Sequence, residues 1–445
     1  MSISRRNMIL TAGAAALAKA SGLIRPARAQ AVSADRKASG NHPYVPVTTL
    51  NGRTLPCTLK DGVKEFHLIA EEIEHEFAPG CKAKCWGYNG TTPGPTIEAV
   101  EGDRIRILVT NKLPEHTSMH WHGILLPSGM DGVGGLSQPD IAPGETYAYE
   151  FTLRQHGTHM YHPHADEMVQ MAVGMMGMFV IHPKDGEAEP IDRDFVILLH
   201  NWALHPGTYR PDPSIMTEFD LWTFNSKVFP AIEPMVVKTG QRVRIRLGNL
   251  SMWNHPMHLH GHTFWVTGSD GGRWPKTLWR PEATEVVGVG QTRDIEFVAT
   301  PGDWAFHCHM AHHTMNAMGH GIPNTLGVDQ SAVEKRVRAL LPGYMAMGES
   351  GMGEHQVHAD AGRMQGPANT LPMMMGKGPY GRLEMGGMFT VVKVRDEVAT
   401  DYRDPGWYQA PPGTVAWRVA GVKPAVKKHA LPMDPDMPMD HGGKS

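Results

Sequence analysis

Short runs in which polar and apolar residues alternate recur along the chain; Arg104–Val109 is one and Arg242–Leu247 is another. Successive side chains of a strand point to opposite faces, so a period of two predicts strands. Turn-forming clusters separate the runs, among them Thr92-Pro93-Gly94-Pro95 and Ala142-Pro143-Gly144. Short strands bounded by such turns predict an all-β, antiparallel sandwich architecture.

The pattern occurs twice. Gly102-Asp103-Arg104-Ile105-Arg106-Ile107 resembles Gly240-Gln241-Arg242-Val243-Arg244-Ile245, 138 positions later. Asn111 and Asn249 keep that offset, as do His120-Trp121-His122-Gly123 and His258-Leu259-His260-Gly261. Gly144-Glu145-Thr146 then matches Gly290-Gln291-Thr292 at an offset of 146, and His162-Pro163-His164 matches His307-Cys308-His309 at 145. A register kept this long with one small insertion is a domain duplication. It predicts two Greek-key β-sandwiches, residues 60–187 and 188–395, after an extension at 30–59 and before a tail at 396–445.

Composition narrows the class. The 42 Lys and Arg against 45 Asp and Glu give the 445 residues a net charge of −3, without the basic excess of a nucleic-acid binder. Ser4-Arg5-Arg6-Asn7-Met8-Ile9-Leu10, an Ala-rich stretch and Ala27-Arg28-Ala29 predict a twin-arginine export signal over residues 1–29 and a periplasmic protein. Lys19 interrupts an apolar run already too short for a membrane anchor. Export permits disulfides, and Cys57, Cys81 and Cys85 leave every pairing open.

The 26 His and 29 Met point to metal. Four clusters stand out: His120-x-His122, His162-x-His164, His255-x-x-His258-x-His260, and His307-Cys308-His309-x3-His313-x4-Met318. On a strand, His-x-His aims two imidazoles into one site. His255, Cys308, His313 and Met318 form the soft two-His, one-Cys set with a weak axial Met that suits type 1 blue copper; zinc has no reason to recruit a thioether. The other eight histidines suit a cluster of three copper ions, and Cys308 would link it covalently to the blue site. His262 and His312 lie beside these motifs and are read as supporting groups.

With these motifs in this order from Asn89 to Met318, the chain resembles the multicopper oxidases. The resemblance implies cupredoxin domains, with His120 and His258 on a type 2 copper. It places His122, His162, His164, His260, His307 and His309 on a type 3 pair, making four coppers per chain. It also implies that O2 is reduced to water by four electrons from one-electron reductants. Only 91 residues separate His164 from His255, which leaves no room for a third sandwich and resembles the two-domain, laccase-like branch. That branch implies a homotrimer with each cluster between neighbouring subunits. Pro163 stands where the second copy has Cys308, so only the second domain can hold blue copper. Asp131 matches the family's acidic group near the cluster and is expected to handle protons, whereas Thr314 occupies the place of a carboxylate after His313.

An insertion of about 65 residues, read over 328–380, precedes the strand at Met388–Val392 and is rich in Met. It either gathers cuprous ions and restricts bulky substrates, or is a Gly/Pro-rich loop whose methionines are incidental. Phenols and Cu(I) would both deliver electrons at the His255/His313 edge, so the sequence does not choose between them. A copper-binding resistance protein without turnover is a second reading, and a copper nitrite reductase a third.

Overall fold

The computed structural model describes residues 44–205, 207–314, 376–383, 385–419 and 421, and single positions at 332, 335, 336 and 339. Residues 1–29, Met318, most of residues 328–380 and half of the tail lie outside them. The body ends at Tyr408, and a separate C-terminal unit starts at Gln409. Among the described residues no helix is long and apolar enough to cross a membrane.

Two β-sandwiches make up the body. In the first, the sheet built on Val63–Ala78, Arg104–Asn111 and Thr146–Thr152 faces a sheet ordered Ile97–Val100, Gly177–His182, Gly157–His162 and His120–His122. In the second, Arg193–Trp202, Arg242–Asn249, Thr292–Val298 and Phe264–Ser269 form one sheet. Met235–Lys238, Phe389–Arg395, Gly302–Cys308, His255–Leu259 and Thr284–Val287 form the sheet opposite. Phe389–Arg395 pairs with Gly302–Cys308 as Gly177–His182 pairs with Gly157–His162, so the strand read after the insertion is the equivalent one.

The sheets are mixed, which corrects the expectation of purely antiparallel pairing. Val63–Ala78 runs parallel to Arg104–Asn111, and Arg193–Trp202 parallel to Arg242–Asn249. A Greek-key chain crosses to the facing sheet before returning, so the returning strand can enter in the same direction.

The equivalent strands Arg104–Asn111 and Arg242–Asn249 differ in burial. The first alternates between partly exposed and buried positions, while the second is buried nearly throughout. Arg244 and Arg246 are each only 2% exposed, because this sheet packs on the first sandwich. Arg246 donates to Asp194 at 2.9 Å and, across the junction, to Thr158 Oγ1 at 2.8 Å; Thr158 donates to Asp294 at 2.5 Å. Arg244 binds Glu187 and Glu296 at 2.9 Å each. Met176 and Met178 fill the same junction beside Val196 and Leu198, and Met175 packs inside the first sandwich. Met168 is exposed.

Burial by itself raises the Glu296 and Glu187 carboxyls, but the surrounding Arg244 and Arg273 outweigh it and hold both at about 2. The unfolded chain therefore takes up protons here, near pH 4.5, that the folded chain refuses until about pH 2. Their contribution is complete above the unfolded value and disappears as pH falls through this window. The thermal midpoint of the protein is expected to drop steeply between pH 4.5 and 2. Glu296→Gln should lower stability at neutral pH and flatten that drop; an unchanged acid limb in the variant would contradict the assignment.

Candidate metal centres

His255–Leu259 pairs with Gly302–Cys308 so that His258 lies opposite His307 and Met257 opposite Cys308. Alternation along each strand then sorts the donors. His255 and Cys308 turn inward and are completely buried, whereas His258, His260, His307 and His309 share the opposite face. One strand thus carries a thiolate on one face of the sheet and histidines, on either side of it in sequence, on the other.

The inward group is compact. Cys308 Sγ lies 3.7 Å from His255 Nδ1 and 3.3 Å from His313 Nδ1, and the two nitrogens are 3.1 Å apart. A point equidistant from all three is about 2.0 Å from each, the length of a metal–imidazole bond. Burial, with His200 and His312 nearby, pushes His255 down to about 3, and His313 is pushed to about 2, so both present neutral rings. Burial pushes the Cys308 thiol up to about 12; a thiolate in this place calls for a cation, which a soft metal ion provides. These residues fit copper. Met318, the expected axial ligand, lies outside the described residues.

In the first sandwich, His120–His122 pairs with Gly157–His162 and sets His120 opposite His162. Ring nitrogens of His120, His122 and His162 all lie within 4.8 Å of one another, and the His164 ring is 5.7 Å from that of His120. In the second set, His260 Nε2 is 3.0 Å from His307 Nε2, and the His309 ring is 5.3 Å from that of His258. Hydrogen bonds fix the tautomers the same way in both copies. His120 Nδ1 donates to the Asp131 carbonyl (2.9 Å) and His258 Nδ1 to that of Ala283 (2.6 Å). His162 Nδ1 and His307 Nδ1 each donate to the carbonyl of the next residue, at 2.9 and 2.8 Å. A carbonyl only accepts, so each of these rings keeps the Nε2 lone pair for a metal.

Within one chain these are two half-sets. Among the described residues, no hydrogen bond or ring contact joins the first four histidines to the second four. His164, His260 and His309 are exposed. Thr117 and Pro163 stand in the first copy where His255 and Cys308 stand in the second, so the first copy has no inward metal group.

The Asp131 carboxylate is 3.4 Å from His120 Nδ1. A second carboxylate, missed in the sequence, is Glu167, 3.6 Å from His162 Nδ1 and 3.9 Å from His164 Nε2. Its position three residues after His164, at the start of a helical turn, was the available signal. Thr314 closes its own turn onto the Ala311 carbonyl.

His255 and His313, where the sequence reading has electrons enter, are covered. Both rings are 0% exposed. Trp222 stacks on His313 at 4.9 Å and 19°, Trp253 meets it edge-on at 5.7 Å, and the exposed His312 lies 4.3 Å away. His313 Nε2 and Trp222 Nε1 are buried and have no hydrogen-bond partner among the described residues. His262 donates from Nδ1 to the His260 carbonyl at 3.0 Å and accepts at Nε2 from the Thr300 N–H at 3.1 Å, which ties it to the turn that carries His260. All four cysteines are free thiols. Cys81 and Cys85 share one strand, and four residues at about 3.3 Å each separate them too far for a bridge.

The family model described as "Multicopper oxidase" matches residues 70–186, and a second model of the same description matches 206–325. Over 115 residues (26% of this chain) the sequence is 47% identical to the "Copper resistance protein A homolog" of Pseudomonas syringae pv. tomato. Over 301 residues (64% of this chain) it is 29% identical to a "Probable nitrite reductase-hydroxylamine oxidoreductase fusion protein" of Kuenenia stuttgartiensis. These matches span only 19% and 33% of the relatives' own lengths. The fold is similar to that of the blue copper oxidase from Nitrosomonas europaea, with a TM-score of 0.54 and 24% identity. That match covers 74% of this chain and 85% of the other.

Proposed function

The chain belongs to the multicopper oxidase family, and on that premise we propose that it couples four one-electron oxidations to reduction of O2 to two waters. The reaction consumes four electrons and four protons per O2. The observation that carries this reading is the strand that bears Cys308, inside the sheet, between His307 and His309, outside it. Copper, when bound, supplies one-electron redox chemistry at the Cys308 group and O2 chemistry among the eight histidines, with four ions per chain.

Cys308 provides the shortest covalent route between the two faces of the sheet. Asp131 holds His120 in the tautomer that presents Nε2 and places a carboxylate beside it for proton delivery. Trp222 and Trp253 keep reductants off His313, so electrons enter through the indoles or the exposed His312. This favours small one-electron donors, of which Cu(I) is one and compact phenols another; the similarity to copper resistance proteins supports the former. Thr117 and Pro163 argue against a nitrite reductase with blue copper in its first domain.

The two open half-sets support a homotrimer in which one chain's first set meets its neighbour's second. A head-to-tail interface closes a ring in this way. The Asp131 loop exposes Leu136, the helix after His164 exposes Met168, and the strand paired with that of His258 exposes Val286, giving each set an apolar border. Residues 1–29 are proposed to direct export to the periplasm.

Copper per chain, the visible spectrum, O2 uptake and light-scattering mass on the copper-loaded protein test this together. Four coppers, a blue band, O2 consumption and three times the chain's mass are expected. Variable copper loading without O2 uptake would favour the binding-protein reading, and a fully active monomer would reject the shared cluster.

A further inference from the structure

Ser251 lies in the turn after Arg242–Asn249, four residues before His255. Its Oγ is 2.8 Å from His255 Nε2, 2.7 Å from Asn249 Oδ1 and 2.8 Å from the Trp253 carbonyl, and it accepts the Trp253 N–H at 3.2 Å. A hydroxyl has one proton to give. The orientation of Asn249 is settled, because its amide nitrogen donates to the Trp253 and Val287 carbonyls; Asn249 Oδ1 is therefore an acceptor, like the Trp253 carbonyl. The serine proton goes to one of these two, and the hydroxyl faces His255 as an acceptor. His255 Nε2 must then carry the imidazole proton. That leaves the lone pair on Nδ1, the nitrogen 3.7 Å from Cys308 Sγ and 3.1 Å from His313 Nδ1.

The duplication supplies an internal control. In the first sandwich Asn111 builds the same turn: Oδ1 accepts from Leu113 N at 2.9 Å, and Nδ2 donates to the Glu115 and Ile141 carbonyls at 2.8 Å. Asn249 makes the equivalent bonds with Ser251 N, Trp253 and Val287 at 2.9, 2.8 and 2.9 Å. At the common offset of 138, Leu113 replaces Ser251 and Thr117 replaces His255. The turn closes without a hydroxyl where there is no ligand to orient, and carries one where there is.

We infer that Ser251 is a positioning residue of the Cys308 copper site, selecting the His255 tautomer and fixing its ring. No solvent reaches His255, so no water replaces the hydroxyl when it is lost. The inference rests on the copper reading of that site.

The test titrates Cu(II) into the metal-free full-length chain and follows the thiolate-to-copper absorption band. Ser251→Leu, which takes the residue of the first copy, and Ser251→Ala are expected to bind copper at Cys308 about 10- to 100-fold more weakly, with an altered band. Copper at the eight histidines should be unaffected, and Ser251→Thr should restore both affinity and band. Wild-type affinity and an unchanged band in the Leu and Ala variants, or failure of Thr to restore them, would overturn the role of Ser251. A wild-type chain that develops no band would overturn the copper site itself, and this inference with it.

Discussion

Replacing Cys308 with serine is expected to abolish the blue absorption band and to lower O2 uptake by more than about 100-fold. Removing a group that merely supports a ligand already costs about 10- to 100-fold, and Cys308 is itself a ligand. The buried serine hydroxyl has a far higher pKa than the thiol and offers a hard oxygen in place of a soft sulfur. His255 and His313 remain, but two imidazoles 3.1 Å apart do not hold copper as three donors do. His307 and His309 lie on the other face of the sheet, so the histidine sets should keep their copper and the content should fall by one ion per chain. Copper analysis with O2 electrode measurements checks this. A variant that retains half of the wild-type uptake would remove Cys308 from the electron route.

Arg246→Met carries the largest expected cost in stability. The guanidinium compensates Asp194, which is 3% exposed, and holds Thr158 of the first sandwich. Its other near neighbour, Asp294, is 3.6 Å away and 2% exposed. Without Arg246 these carboxylates have no solvent to turn to. Breaking a buried pair by removing one partner costs about 3–5 kcal/mol. At roughly 2–4 °C per kcal/mol for a domain of this size, the thermal midpoint should fall by roughly 6–20 °C. Scanning calorimetry measures it. Replacing Asp194 with leucine in the same chain should recover part of the loss, because fewer uncompensated charges then remain buried. Additive losses in the double variant would show that the two residues do not act as a pair.

Both predictions concern residues that the sequence presents very differently. Cys308 was conspicuous: it lies between two histidines in a repeated motif, and the alternation of a strand places it on the face opposite them. Arg246 was not. The run Arg242–Leu247 alternates as Arg104–Val109 does, and local alternation says only which side chains share a face. That the polar face of the second run packs on another sandwich depends on Thr158 and Asp294, which belong to other strands. The return of strands in parallel was hidden for the same reason, since periodicity carries no direction.

The candidate centres divide along this line. The donor types, their division into a Cys308 set and a set of eight histidines, and the lack of a Cys308 equivalent in the first copy were read from spacing and the duplication; which face of the sheet each set occupies came from the strand pairing. The tautomers did not follow from the sequence, because the carbonyls that fix His120 and His258 belong to Asp131 and Ala283, 11 and 25 residues away. Nor did the cover over His313, since Trp222 reaches it from a strand of the facing sheet. Ser251 was within reach of sequence reasoning, but only the hydrogen bond to Nε2 gives the comparison with Leu113 its meaning. The sequence by itself determined the strand period, the duplication and the donor types, because each is set by residues close together along the chain. Tertiary structure alone decided which polar residues are buried, which imidazole nitrogen is free and how the inward site is covered, because those depend on partners brought together by packing.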